Sequence, residues 1–284
     1  MYRVAGRVFV LCLLASAIWS VLSLPLSGYT DALIPLLGGL IVSLWGKHSL
    51  SEMFWIHRPQ NQDMILLMVA LGLTTSGSIM GIQIATDLVS HGAVTRFLER
   101  FPAAPTPQSP AVAMLTVGIV LPTLEELFFR GFLLSSFTPE VFGVGGQIWI
   151  TALLFTLGHP VLVMPSVLVI SVFGALSVVS SKSLAPALAL HIANNLFAQG
   201  LDYLYPINGY LALATALAAV IAGITIACSH RQGVAEVLQA FREYTKDFSA
   251  RARFIAKTIL TEWSYILFIL IAVLNIIVFF VPSN

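Results

Sequence analysis

Apolar residues run through this chain in long blocks separated by short polar breaks. A membrane-crossing helix takes about 20 mostly apolar residues. On that measure spans are expected over 7–26, 31–46, 63–86, 110–134, 146–159, 161–181, 184–200, 209–228 and 259–281. The predicted fold is all-α, a polytopic transmembrane helical bundle of about 8–9 spans. The first block also has features of a secretory leader, since MYRVAGR precedes an apolar stretch containing ASA. Another block follows almost at once, so a retained helix is the expectation.

The polar breaks organise the rest. RFLERFPAAPTPQSPAV, with four prolines, reads as an irregular linker into the block that begins near Ala111. The segment 229–257 carries Arg231, Arg242, Lys246, Arg251, Arg253 and Lys257, the strongest basic cluster in the chain. Val234, Leu238 and Phe241 recur there at helical spacing, which fits an interfacial amphipathic helix or, equally, a solvated loop. Lys and Arg in short loops favour the cytoplasmic side. That rule places the segment inside together with Lys182, the Lys47–Arg58 loop and the Arg3–Arg7 end. The expected topology is N-terminus in and C-terminus out, in the plasma or inner membrane if the host is bacterial. Three regions follow: N-terminal transmembrane helices and linker over 1–109, a central set over 110–200, and C-terminal helices with the basic segment over 201–284.

Composition supports the membrane reading and removes other classes. Hydrophobic residues make up 58% of the chain and charged residues 10%, against about 25% charged in a soluble domain. Such a chain cannot cover its own surface with polar groups, so lipid is its partner and solvent. A net charge of +1 leaves no basic surface for nucleic acid. Cys12 and Cys228 both fall inside apolar blocks, which argues against a disulfide framework, and neither has metal-ligand spacing.

Against this background the ionisable residues inside the blocks stand out, because a charge at mid-membrane costs at least about 2.5–3.5 kcal/mol on insertion scales. TLEELFFRG places Glu125, Glu126 and Arg130 in one block, FTLGH places His159 at the end of the next, and HIANN places His191, Asn194 and Asn195 in a third. Glu126 and Arg130 are four residues apart and can pair on one helix face. Glu125 is turned about 100° from its neighbour. Phe155 and His159 share a face, as do His191 and Asn195, while Asn194 points elsewhere toward a helix–helix hydrogen bond. Three helices can therefore turn polar faces toward one interior. A shielded glutamate beside a histidine suits general-base work on water, and His and Asn N–H groups suit an oxyanion. The reading is peptide-bond hydrolysis within the membrane, with Glu125 and His159 activating water and His191 and Asn195 as oxyanion donors.

EELFFR, FTLGH and HIANN resemble the three signatures of the CPBP family of intramembrane proteases. That family includes CAAX prenyl endopeptidases and bacterial homologues linked to bacteriocin processing and immunity. The resemblance covers about residues 110–200. It implies a helical bundle with a catalytic cavity open to the cytoplasm, acting on a membrane-associated protein or peptide. It implies Glu125, His159, His191 and Asn195 as catalytic residues, with Glu126 and Arg130 in support. No obligatory metal is expected. Were a divalent ion such as zinc present, Glu125, His159 and His191 would be its ligands. A different class of protein, a transporter or an immunity or scaffold protein, would use the same polar cluster for ion passage or binding. One expectation sits awkwardly: a span beginning at 146 puts His159 at its far end, so that helix either starts nearer Phe137 and tilts, or has other bounds.

Overall fold

The computed structural model describes residues 3–8, 10–11, 36–41, 44, 49–98 and 109–279. The spans expected over 7–26 and 31–46 lie mostly outside these residues, as do Cys12 and most of the proline-rich linker. The long helices are α1 (Asp63–Val89), α2 (Pro110–Ser136), α3 (Pro139–Leu157), α4 (Met164–Ser181), α5 (Ala185–Leu204), α6 (Gly209–Ser229), α7 (Arg231–Ile259) and α8 (Trp263–Phe279). No strand occurs among the described residues. Proline in the first turn starts α2, α3, α4 and α5, where its missing N–H costs nothing. Asn208 caps α6 by accepting from Leu211 N at 3.0 Å.

Among the described residues, α1, α2, α3, α4 and α6 are long and apolar enough to cross a membrane. The pair α7 and α8 meets the same test only when taken together, and it is bent by 98°. This is a multi-pass helical membrane protein. α1 is its central strut, packed along α5 and α6 through small residues. A Cβ on Gly72 would lie 2.6 Å from Leu190 O, and one on Gly77 would lie 2.9 Å from Ala216 O. In lipid there is little hydrophobic force between helices, so close backbone approach at such residues supplies the packing.

Two helices depart from regular geometry where the site lies. α2 contains wide π-helical turns at Thr116–Val120 and Leu127–Leu133, which flank the stretch LPTLEE. α3 is broken at Gly143, whose φ is +71°. Its regular leg, 144–157, is about 20 Å long, against a hydrocarbon core of about 30 Å. His159 follows two residues after the end of this leg. The helix begins at Pro139, near Phe137 and before the expected start at 146, and it is broken at Gly143.

The basic segment is one 29-residue helix, α7, and not a loop. Part of its apolar side rests on protein, while Leu238 and Phe254 stay exposed. Phe248 stacks on Trp149 of α3 at 5.8 Å, Phe241 stacks on Phe173 of α4 at 5.5 Å, and Val237 joins the cluster around Met64 and Leu67. The described parts of the four basic sites expected on one side share one end of the bundle. Gln60 N donates to Ser181 O and Leu184 N to Trp55 O, both at 3.0 Å, which ties the loop after Trp55 to the α4–α5 turn. Arg7 meets Glu262 at 3.0 Å in the α7–α8 turn.

The α1–α5 contact makes a prediction. Gly72→Val must push α5 away from α1 and should cost about 1–3 kcal/mol, read as a lowered thermal midpoint in detergent. Gly200→Ala, whose nearest neighbour would be Met114 at 3.9 Å, should leave the midpoint unchanged.

Candidate active site

The site is assembled around one buried ion pair on α2. Arg130 Nη1 lies 2.9 Å from Glu126 Oε1, and both side chains are 1% exposed. The guanidinium has further partners on other helices. Its Nη2 donates to Ser171 Oγ of α4 at 3.0 Å, and its carbon sits 4.3 Å from the Phe155 ring centroid of α3. Ser171 in turn donates to Ala152 O of α3 at 3.2 Å. One arginine thus joins α2, α3 and α4, with the planar donor fork and the cation–π face both in use.

The same carboxylate oxygen reaches a fourth helix. His191 Nδ1 of α5 lies 2.9 Å from Glu126 Oε1. A carboxylate held by a guanidinium accepts, so Nδ1 donates and the ring orientation is set. His191 Nε2 then faces Glu125, 3.6 Å from Oε2. The two glutamates bracket one imidazole. Their 100° offset on the helix opens the gap into which the ring enters. Glu125 is the more accessible carboxylate, with its side chain 19% exposed against 1% for Glu126.

His159 lies just past the end of α3, and its Nδ1 donates to Phe155 O at 2.8 Å. In the neutral ring that leaves the lone pair on Nε2. The Phe155 ring touches both imidazoles, with centroids 4.5 Å from His159 and 5.7 Å from His191. Asn195 Nδ2 donates to Val117 O at 3.2 Å, in the first wide turn of α2. Its Oδ1 accepts from Asn194 Nδ2 at 3.1 Å. One amide hydrogen of Asn195 remains for another acceptor. Asn194 supports its neighbour through this bond, whereas the sequence pattern points it toward a helix–helix contact.

Glu125, Glu126, Arg130, Phe155, His159 and His191 are thus linked through direct contacts, and Asn195 joins α2 separately through Val117 O. Among the described residues no three His, Cys, Asp or Glu side chains gather at metal-ligating distances. Three contributors escape sequence reasoning. The tie between Glu126 and His191 has no local signal, because the two are 65 residues apart. Ser171 stands in an apolar block with nothing to mark it. Phe155 is visible as part of FTLGH, though its contacts to Arg130 and two imidazoles depend on tertiary packing.

With this geometry in view, the family comparison agrees with the motifs. Residues 107–197, about a third of the chain, match the family described as type II CAAX prenyl endopeptidase Rce1-like. This segment is the one whose three motifs resemble the CPBP family of intramembrane proteases. It contains every residue of the site just described. No curated protein and no solved structure matches the chain.

The shared carboxylate sets the next expectation. Arg130→Ala leaves Glu126 buried without its cation and should cost about 3–5 kcal/mol, measured as loss of thermal stability in detergent. Arg130→Lys should recover little of it, because an ammonium cannot meet Glu126, Ser171 and the Phe155 face together.

Proposed function

We propose that the protein is an intramembrane endopeptidase that hydrolyses a peptide bond of a membrane-associated protein or peptide. The observation that carries this reading is the His191 ring bracketed by Glu125 and Glu126 within apolar helices. Glu125 is the accessible carboxylate and takes the proton from a water molecule as the water oxygen bonds to the scissile carbonyl carbon. His159 Nε2 offers that water an acceptor. The carbonyl becomes an oxyanion, which accepts from the remaining Asn195 amide hydrogen and from His191 Nε2–H. Glu126 balances the charge on His191 when its ring is doubly protonated. The carbon–nitrogen bond then breaks, and Glu125 delivers its proton to the leaving amine.

Arg130 and Phe155 act through position. They hold Glu126 and the imidazoles at fixed spacing, and displacements of about 1 Å at such a site can cost 100-fold in rate. In the proposed topology the basic end of the bundle faces the cytoplasm. His191, seven residues into α5, lies about 10 Å from that end, so on this reading the site is nearer the cytoplasmic side. Substrates prenylated at their C-terminus, as the family description suggests, would approach along the same leaflet.

The substrate need not be identified before the test. Quantitative proteomics of membrane fractions from cells carrying the wild type or Glu125→Ala should show one or more membrane proteins left uncut in the variant. Once a substrate is identified, Glu125→Ala and His191→Ala should lower cleavage by about 100- to 10,000-fold in protein that still inserts. Unchanged proteomes, with Glu125→Ala retaining full biological activity, would instead support binding or ion passage by the same cluster.

A further inference from the structure

The broken helix α3 restarts where a capping side chain belongs, and its cap comes from elsewhere. After Gly143 the helix resumes at Val144, so Gly143 is the N-cap of the leg that leads to Phe155 and His159. An N-cap residue normally accepts, through its side-chain oxygen, from the N–H two or three positions on. Glycine has no such oxygen. Asp247 of α7 provides it instead, with Oδ2 accepting from Gly145 N at 2.9 Å. The fit is steric as well as polar. A Cβ at Gly143 would collide with the Asp247 carboxylate, and one at Gly145 would collide with Tyr244 O. The carboxylate therefore occupies the space of the missing cap side chain. Arg251 Nε donates to Asp247 Oδ1 at 3.0 Å and turns Oδ2 toward the helix. A negative charge at a helix N-terminus also meets the positive end of its dipole.

We infer that Asp247 is a positioning residue for the active site, acting as an N-cap supplied by a distant helix to the short leg of α3. Asp247 lies outside the matched segment 107–197, so on this inference a C-terminal helix helps to position residues of the site. Trp149, four residues beyond Gly145, stacks on Phe248 of the same α7 face. Cap and aromatic contact together define where the leg starts and how it leans. Its other end carries the Phe155 ring against Arg130 and His191. Without the cap, the first turn frays and the ring loses its fixed register.

The capping claim stands on geometry alone, whereas its catalytic consequence rests on the endopeptidase reading. Two readouts on the full-length protein in lipid nanodiscs separate them. Hydrogen exchange should be about tenfold faster across 144–157 in Asp247→Ala, with 110–133 unchanged. Asp247→Asn keeps one side-chain acceptor and should exchange more slowly than Asp247→Ala, nearer to the wild type. On a substrate identified through Glu125→Ala, Asp247→Ala should lower kcat roughly tenfold at constant KM, and Asp247→Asn should restore it. Wild-type protection in Asp247→Ala would overturn the inference, as would equal loss in both variants. Faster exchange spread evenly over all helices would overturn it too. Cleavage absent from the wild type would refute the endopeptidase reading, while the exchange pattern would still decide the cap.

Discussion

One buried carboxylate oxygen organises the centre of this protein. Glu126 Oε1 meets both Arg130 Nη1 and His191 Nδ1, each at 2.9 Å. Charge in such surroundings is tolerated only with partners, and here the partners come from four helices. Arg130 extends the requirement to Ser171 on α4 and Phe155 on α3. Removing water from this network makes each contact stronger and each missing contact more costly. The helices are consequently held in register by the same groups that place an imidazole beside Glu125. Stability and site geometry share one set of atoms.

The irregular parts of the backbone serve that arrangement. A regular α2 would present Glu125 and Val117 in an unbroken ladder; the wide turns at 116–120 and 127–133 instead leave Val117 O available to Asn195 and shift the phase of the helix around LPTLEE. Wide turns of this kind are frequent at functional sites. The break in α3 does something different. It starts the regular leg at Val144, and the far end of that leg carries Phe155 against His159 and His191. α7 completes the arrangement by lying over the break with its aromatic face toward α3 and α4.

Much of this is legible along the chain. The blocks of hydrocarbon residues predict the helices, because backbone groups in lipid must be satisfied within a helix. Helical spacing pairs Glu126 with Arg130 and sets His159 four residues after Phe155. Three ordered motifs, each too short to mean much alone, mark the segment that the family comparison also matches. What is misread follows from treating helices as regular and isolated. The 100° rule separates Glu125 from Glu126 correctly but cannot show an imidazole entering between them. The amphipathic pattern of 229–257 predicts an apolar face but not its occupant, since lipid and an aromatic protein surface leave the same pattern.

The sequence by itself therefore determined the solvent, the helical class and the inventory of polar groups. These depend on composition and on spacings within a few residues. The tertiary structure alone decided the pairings: His191 with both glutamates, Arg130 with Ser171 and Phe155, Asn195 with Val117, and Asp247 with Gly145. Each joins residues on different helices, most of them far apart in the chain. Their meeting is set by helix tilt, by a glycine break and by close packing at small residues, none of which a local pattern encodes.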